Sequence, residues 1–584
     1  MNSVRRLVTA LSALVFTACA LPATALAGAP GSWSTSADIT TEAVVAALSV
    51  GPQGDPALFW WRRTTPDSPA YMPPNFVLRS AGRPLGTATW STPVDITTNP
   101  IVPAGNPVVA RNARGDTLLA WLRGDGECRT GNDCRYTVVA TMRPSGATQW
   151  EAPLDIGVVG SEIDTPLAAL DAQGNATLLW TSAGGPGGAV ESAVRTAGSG
   201  SWQAPVHVVA SGGRAPSSPS LVVADDGTAL AIWSAGSRDE SVIRVAARAQ
   251  ATGAWQTPVD LSPAGTKAYY PSVALDRHGK ALAMWVVGSV VRSTSGRAGS
   301  SHWSKPVSVP SNAIEKGEQR YVPIARFDSK GNAIAMWSVN TEFNDGASYL
   351  QSAARRATDG SWRRLANPSG RQHGVAGARL VIDSRDNAIV TWATGSSRYT
   401  TPTTIESAEL PATSGIWQEP IVVASSTTDS PLNGWTGLGA GNAGPVVGTW
   451  GVALPATSPS FGPSQLTRTA TYRPADAPPP VLSRASMTRA RFRVGTTPTA
   501  TRFRVELTAE AGVRVSISRR RAGGHTVLVG AVSRNAMPAG AGTVAFTGRL
   551  HGRRLAPGAY AARMTAANRG GTSKTTTLRF TVVS

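Results

Sequence analysis

The chain has 584 residues and a formal net charge of +19, with 60 Gly and 42 Pro and a modest share of charged side chains. That length exceeds one ordinary domain, and turn-forming residues at this density favour many short strands over long helices. Beyond the N-terminus no run of about 18 apolar residues occurs, so the sequence holds no candidate membrane helix there.

The first segment, MNSVRRLVTALSALVFTACALPATALAG, sets Arg5 and Arg6 before an apolar run and ends in the small-residue pattern Ala25, Leu26, Ala27. This is the order of an export signal, with cleavage expected after Ala27 and residues 1–27 removed. The mature chain is expected to be secreted or held at a bacterial cell surface. Cys19, in VFTAC, distantly resembles the cysteine of a lipoprotein signal, which leaves a lipid tether as the alternative. The other two cysteines, Cys128 and Cys134, flank a polar loop in GECRTGNDCR. In an exported chain such a pair is expected to form a disulfide; a metal site needs more ligands, and none of the six His lies nearby in sequence. No pattern asks for a metal or a cofactor.

From residue 28 onward one decamer keeps returning: DAQGNATLLW ends at Trp180, DRHGKALAMW at Trp285, DSKGNAIAMW at Trp337 and DSRDNAIVTW at Trp392. Aligned on the tryptophan, the copies fall at Trp61, Trp121, Trp180, Trp233, Trp285, Trp337, Trp392 and Trp450, with intervals of 52 to 60 residues. Within a copy such as PLAALDAQGNATLLW, two apolar runs flank an Asp that can accept turn amides and a Gly that can take positive φ, which predicts a β-hairpin. The Asp is therefore read as turn-forming rather than catalytic or calcium-binding. A third strand follows, for example VIRVAARA, and then a Trp-x-x-Pro segment: WSTP at Trp90, WEAP at Trp150, WQAP at Trp202, WQTP at Trp255, WSKP at Trp303 and WQEP at Trp417, with Trp33 and Trp362 as degenerate members. Proline cannot donate to a ladder, so Pro153, Pro205, Pro258, Pro306 and Pro420 belong at an edge.

Four strands per repeat, radially arranged, predict an all-β propeller over residues 28–474. Its ends interlock: an outer-strand motif at Trp33 precedes the first hairpin, whereas the last hairpin is followed by LTRTATYRP and no Trp-Pro segment. Residues 33–39 are expected to complete the final blade. This gives eight blades, or seven if WTGLGAGNAGPVVGTW does not form one.

On these repeats, residues 33–474 resemble exported bacterial β-propeller repeat proteins and are similar in outline to sialidase-like propellers with Asp-containing hairpins. The sialidase set of three arginines, a tyrosine and an acid does not map onto this chain residue by residue. The resemblance implies a fold and a ligand-capable central face.

ADAPPP introduces a proline linker, residues 475–482, and the composition then changes. From Ser483 to the end stand 17 Arg and one Lys against Glu506 and Glu510, a net of +16 out of +19. RFRVEL, VRVSI and LRFTV alternate polar and apolar residues, which predicts a small antiparallel sandwich over 483–584. GRRLAPGAYAARMTAANRGGTS resembles the Ig-like and fibronectin-like modules that end many exported bacterial proteins. The excess of arginine predicts attraction to an anionic envelope polymer; without interleaved aromatics, nucleic acid is not the expected partner.

Propeller sites are built from loops at one mouth of the ring, after each second strand and before each first strand. The loop candidates here are Tyr269, Tyr270, Arg320, Tyr321, Glu342, Asp345 and Tyr399, a mixture suited to gripping a glycan. No Ser-His-Asp set or phosphate-cradling loop stands out. The sequence therefore favours an exported, monomeric, non-enzymatic binding or scaffold protein for a glycan or protein ligand. A glycoside-acting enzyme of sialidase-like or lyase-like kind is the alternative.

Overall fold

A computed structural model describes residues 32–583 apart from a set of turns and loops, the longer being 65–74, 85–88, 125–134, 160–164, 183–187, 210–215, 342–346, 396–403, 427–431, 441–445, 454–464, 474–479, 495–500 and 521–524. The export signal, Cys19, Cys128, Cys134, Glu342, Asp345, Tyr399 and most of the proline-rich linker lie outside the described residues.

Every described element is a strand or a turn, and the propeller has eight four-stranded blades, each an antiparallel sheet running from the inner to the outer strand in chain order. Blade 1 comprises Ala37–Val50, Pro56–Arg63, Phe76–Gly82 and Val94–Asp95; blade 5 comprises Ala268–Leu275, Lys280–Val287, Val290–Arg297 and Val307–Ser308; blade 6 comprises Glu318–Phe327, Ala333–Thr341, Ala347–Arg355 and Trp362–Arg364. Each first strand touches the first strand of the next blade, and Leu432–Ala440 of blade 8 touches Ala37–Val50 of blade 1, so the circuit closes. The seam is shared. Ser32–Trp33 pairs with Gln465–Arg473, and the first half of Ala37–Val50 continues along that same strand before the second half becomes the inner strand of blade 1. The divergent WTGLGAGNAGPVVGTW does form strands, Leu432–Ala440 and Val446–Ala453, which fixes the count at eight.

The repeated Asp holds the hairpin that joins strands one and two. Asp171 Oδ1 accepts the amides of Gln173 and Asn175 at 3.0 and 2.8 Å, its Oδ2 accepts Asn175 Nδ2, and Asn175 Oδ1 accepts the Ala197 amide at the end of strand three. Asp328, Asn332 and Ala357 repeat the relay, as do Asp383, Asn387 and Ala412. Gly174 and Gly331 supply φ values of 91° and 77°, which close the turn without Cβ strain.

The repeated tryptophans are at most 2% exposed, and each lies between blades. Trp180 packs with Leu118, Ala120 and Leu122 of the preceding blade, and Trp337 packs with Leu282 and Met284 of its predecessor. The second tryptophan series also reaches backward: Trp362 donates to Ser293 Oγ at 3.0 Å and Trp417 to Ser352 Oγ at 2.8 Å. The prolines of the Trp-Pro motif stand just before outer strands such as Leu154–Val159 and Val206–Val209, where no ladder donor is lost.

Residues 482–583 form two packed sheets. One runs Leu482–Met487, Thr501–Leu507, Gly540–Phe546; the other runs Arg491–Arg493, Thr576–Val583, Gly558–Asn568, Ala511–Arg520, Thr526–Met537. Their facing side chains build a separate core around Phe492, Phe503, Phe546, Tyr560 and Phe580. Leu482, assigned to the linker from sequence, opens the first of these strands. The sandwich is not wholly antiparallel, because Arg491–Arg493 pairs parallel with the last strand.

Candidate functional site

First strands line the axis, and most of them carry a β-bulge near the mouth opposite the Asp turns. Shifts of register fall between Ala104 and Val108, Ser217 and Ser220, Tyr269 and Ser272, Tyr321 and Ile324, and Ala376 and Arg379. Four of these bulges contain a proline, Pro107, Pro219, Pro271 and Pro323, which has no amide to offer a ladder. In three of them the residue before the proline takes positive φ: 52° at Ser218, 54° at Tyr270 and 41° at Val322. Positive φ is costly for a bulky or β-branched residue and is held only by the surrounding fold.

At the position just before the bulge, opposite the residue after the repeated Trp, the blades carry Ala104, Ser217, Tyr269, Tyr321 and Ala376. Small residues suffice for the repeat. Two adjacent blades depart from it with tyrosines, and Tyr270 in the intervening bulge links them: its ring centroid lies 6.2 Å from that of Tyr269 and 5.5 Å from that of Tyr321. All three are partly exposed, and with ring planes tilted by 54° and 50° they form a faceted aromatic platform across the junction of blades 5 and 6.

Arg320, next to Tyr321, is turned inward instead. Only 5% exposed, it donates through Nε to Gln351 Oε1 at 3.1 Å, through Nη2 to the Asn312 carbonyl at 2.7 Å and through Nη1 to the Ser289 carbonyl. It staples two loops of blade 5 to blade 6. Burial lowers its pKa, partly offset by Tyr349 and Glu318. Gln351 completes the staple by accepting Trp337 Nε1 at 3.0 Å and donating to Asn312. Glu318 is also buried; its Oε2 accepts the Tyr349 hydroxyl at 3.0 Å and the Glu315 amide at 2.8 Å. Gln351 and Tyr349 escaped sequence reasoning, although YLQSAAR differs from the Val- and Ala-rich third strands around it. Of the seven candidates read as loop residues, the four described ones stand on first strands instead, Tyr269 and Tyr270 in Ala268–Leu275 and Arg320 and Tyr321 in Glu318–Phe327; the three tyrosines come together there, and Arg320 turns inward as support.

A cavity of about 270 Å³ opens between blades 1 and 2, lined by Arg83, Arg111, Arg143 and Asp55 among others. Its cations are already engaged: Arg111 pairs with Asp55 at 2.6 Å, and Arg83 and Arg143 lie over Trp90 and Trp150. No group of three His, Cys, Asp or Glu side chains able to hold a metal occurs among the described residues. Among them, no helix is long and apolar enough to cross a membrane.

No family model and no curated protein matches the chain. Solved structures similar to it include a fungal alcohol oxidase of the AA5 family in complex with copper, at 12% identity over 95% of this chain and 100% of that one, with a TM-score of 0.40. A polysaccharide lyase of the PL25 ulvan lyase family matches at 11% identity over 64% of this chain and 93% of that one, with a TM-score of 0.37. The NanB sialidase of Streptococcus pneumoniae matches at 10% identity over 64% of this chain and 68% of that one, with a TM-score of 0.31. Two of the three act on glycans by their names; at these values none lends this chain an activity.

Proposed function

We propose that this protein binds a glycan at the propeller mouth, laying a sugar face on the platform of Tyr269, Tyr270 and Tyr321. The observation that carries the reading is the departure of two adjacent blades from a small-residue position to tyrosine, joined by a third tyrosine held at positive φ. Aromatic faces supply large contact area at low entropic cost, and their hydroxyls supply polar contacts at the rim. Among the described residues of this site, binding without turnover fits better than hydrolysis does. Glu318, the carboxylate on the same strand, is buried and already accepts two hydrogen bonds, so it is not placed to meet a substrate. We propose further that the protein acts outside the cell, consistent with the export signal read in its first 27 residues.

The test is titration of the protein against a panel of polysaccharides and oligosaccharides, followed by the same titration with Tyr269→Ala and Tyr321→Ala. Each substitution is expected to weaken binding about five- to thirtyfold, since a stacking aromatic contributes on the order of 1–2 kcal/mol. New reducing ends or unsaturated products in the same samples would replace this reading with that of a glycoside-acting enzyme. Unchanged affinity in both variants would remove the platform from the site.

A further inference from the structure

The sandwich carries a second feature, independent of the propeller site. Among the described residues, Thr526–Met537 is the edge strand of its sheet, paired with Ala511–Arg520 on one side only. Near its start Val527, Leu528 and Val529 are 46%, 63% and 37% exposed. Three consecutive exposed aliphatics are unusual in a strand, where alternate residues normally turn inward. Val527 and Leu528 pair in register with Arg519 and Ser518 and so face opposite sides of the strand, both open to solvent; Val529 is the extra residue of a bulge between the pairs Ile517–Gly530 and Ser518–Leu528, where the alternation breaks.

The same end of the sheet carries cations on the strands beside this one. Arg519 and Arg520 lie opposite Val527 and Thr526. Arg519 pairs with Tyr560 near the start of Gly558–Asn568, which Arg553 and Arg554 closely precede, and Arg493 pairs with Val583, beside Gly558's partner Val582. All five arginines are exposed. Glu506 lies elsewhere, on the other sheet, in the strand whose end leads into the opposite end of Ala511–Arg520.

We propose that this end of the sandwich docks on an anionic lipid surface, with Val527, Leu528 and Val529 entering the headgroup boundary and the arginines engaging acidic headgroups. An apolar strand end beside a row of cations is the division of labour that holds peripheral proteins at such a surface. A soluble polyanion would use the arginines and leave the aliphatics in water. A second copy pairing edge to edge would leave Arg519 and Arg520, one strand in from the junction, without a partner across it.

The experiment is co-sedimentation of the full chain with vesicles of phosphatidylglycerol in phosphatidylcholine, with phosphatidylcholine alone, and with dextran sulfate as a competitor. The anionic vesicles are expected to bind the protein at least about tenfold better than the neutral ones. The triple variant Val527→Ser, Leu528→Ser, Val529→Ser should lose that binding by a similar factor while its unfolding midpoint holds, these side chains being exposed. Arg519→Gln with Arg520→Gln should weaken it and flatten its salt dependence. Failure of the intact protein to sediment with anionic vesicles overturns the proposal. So does a triple Ser variant that binds vesicles and dextran sulfate as the intact chain does, which would make the surface a site for soluble polyanions. A triple variant that turns a dimer into a monomer would assign the strand to self-association.

Discussion

At the scale of single residues, the turn relay shows which atoms matter more than which residues. In blade 2 the polarity is reversed: Asn112 stands where blades 3, 6 and 7 have Asp171, Asp328 and Asp383, and Asp116 stands where they have Asn175, Asn332 and Asn387. The hydrogen bonds survive nonetheless. Asn112 Oδ1 accepts the Gly115 and Asp116 amides, Asn112 Nδ2 donates to Asp116 Oδ2 at 2.8 Å, and Asp116 Oδ1 accepts the Ser145 amide. A swap of both, Asn112→Asp with Asp116→Asn, is therefore expected to hold stability within about 1 kcal/mol. Asn112→Asp alone sets two carboxylates against each other and should cost about 1–3 kcal/mol at neutral pH. Denaturant unfolding of the single and double variants checks this; an additive outcome would mean that the pair does not interact. Burial by itself raises the pKa of Asp116, but the Ser145 amide, Asn112 and Arg114 outweigh it and hold the pKa below the usual value. Its contribution to stability is accordingly complete above the ordinary carboxylate range and is lost as pH falls through the lowered pKa. Asp116→Asn should show a shallower loss of stability below about pH 4 than the parent chain. An equal slope would exclude Asp116 from the acid response.

Elements were legible wherever side chains repeat with the period of a strand. The hairpins, the third strands and the outer Trp-Pro segments all stand where alternation and turn residues place them, because burying one tryptophan per blade against its neighbour leaves little freedom of register. The bulges were not legible. A proline after an ordinary residue reads as a strand boundary, and nothing in Tyr269-Tyr270-Pro271 announces that the chain continues beyond it with a changed twist. A second regularity stood unread in the sequence: Arg83, Arg143, Arg195, Arg248 and Arg355 each precede an outer-strand tryptophan by seven residues. The structure supplies its meaning, since Arg248 stacks over Trp255 at 5.1 Å and reaches back to Thr177 Oγ1 at 2.8 Å in the preceding blade. Burial lowers its pKa to about 10, against the opposing pull of Asp171. Lysine has neither the planar face for the ring nor the reach of two nitrogens, so Arg248→Lys is expected to destabilise by about 1–3 kcal/mol. Thermal unfolding measures it, and a loss below a few tenths would reduce the stacking to mere proximity.

At the scale of the whole molecule, the seam explains why the last repeat diverged so far that the count stood open between seven and eight. Its strands are shared with the other end of the chain, and they thin to glycine where that end intrudes. A Cβ on Gly439 would meet Val50 Cγ2 at 2.6 Å and one on Gly448 the Trp33 ring at 2.8 Å, while one on Gly437 would meet Thr449 Cγ2 of its own blade at 2.7 Å and then Leu48 at 3.4 Å. The missing side chains are thus replaced by residues roughly 400 positions earlier in the sequence, which a reading by local pattern does not connect. Trp33 also lies 5.3 Å from Tyr472, its ladder partner. If this exchange of volume closes the ring, Trp33→Ala should destabilise by about 2 kcal/mol, less than for a fully enclosed tryptophan. Gly448→Ala should cost about 1–3 kcal/mol through overpacking. In the double variant the added methyl enters the space that the indole has left, so the two losses should fall short of their sum by on the order of 1 kcal/mol. Hydrogen exchange locates the effect, with loss of protection in Trp33→Ala concentrated in Val446–Ala453 and Gln465–Arg473. Additive losses spread evenly over all eight blades would instead show that the ring is held by its interblade tryptophans alone and that the shared seam contributes nothing of its own.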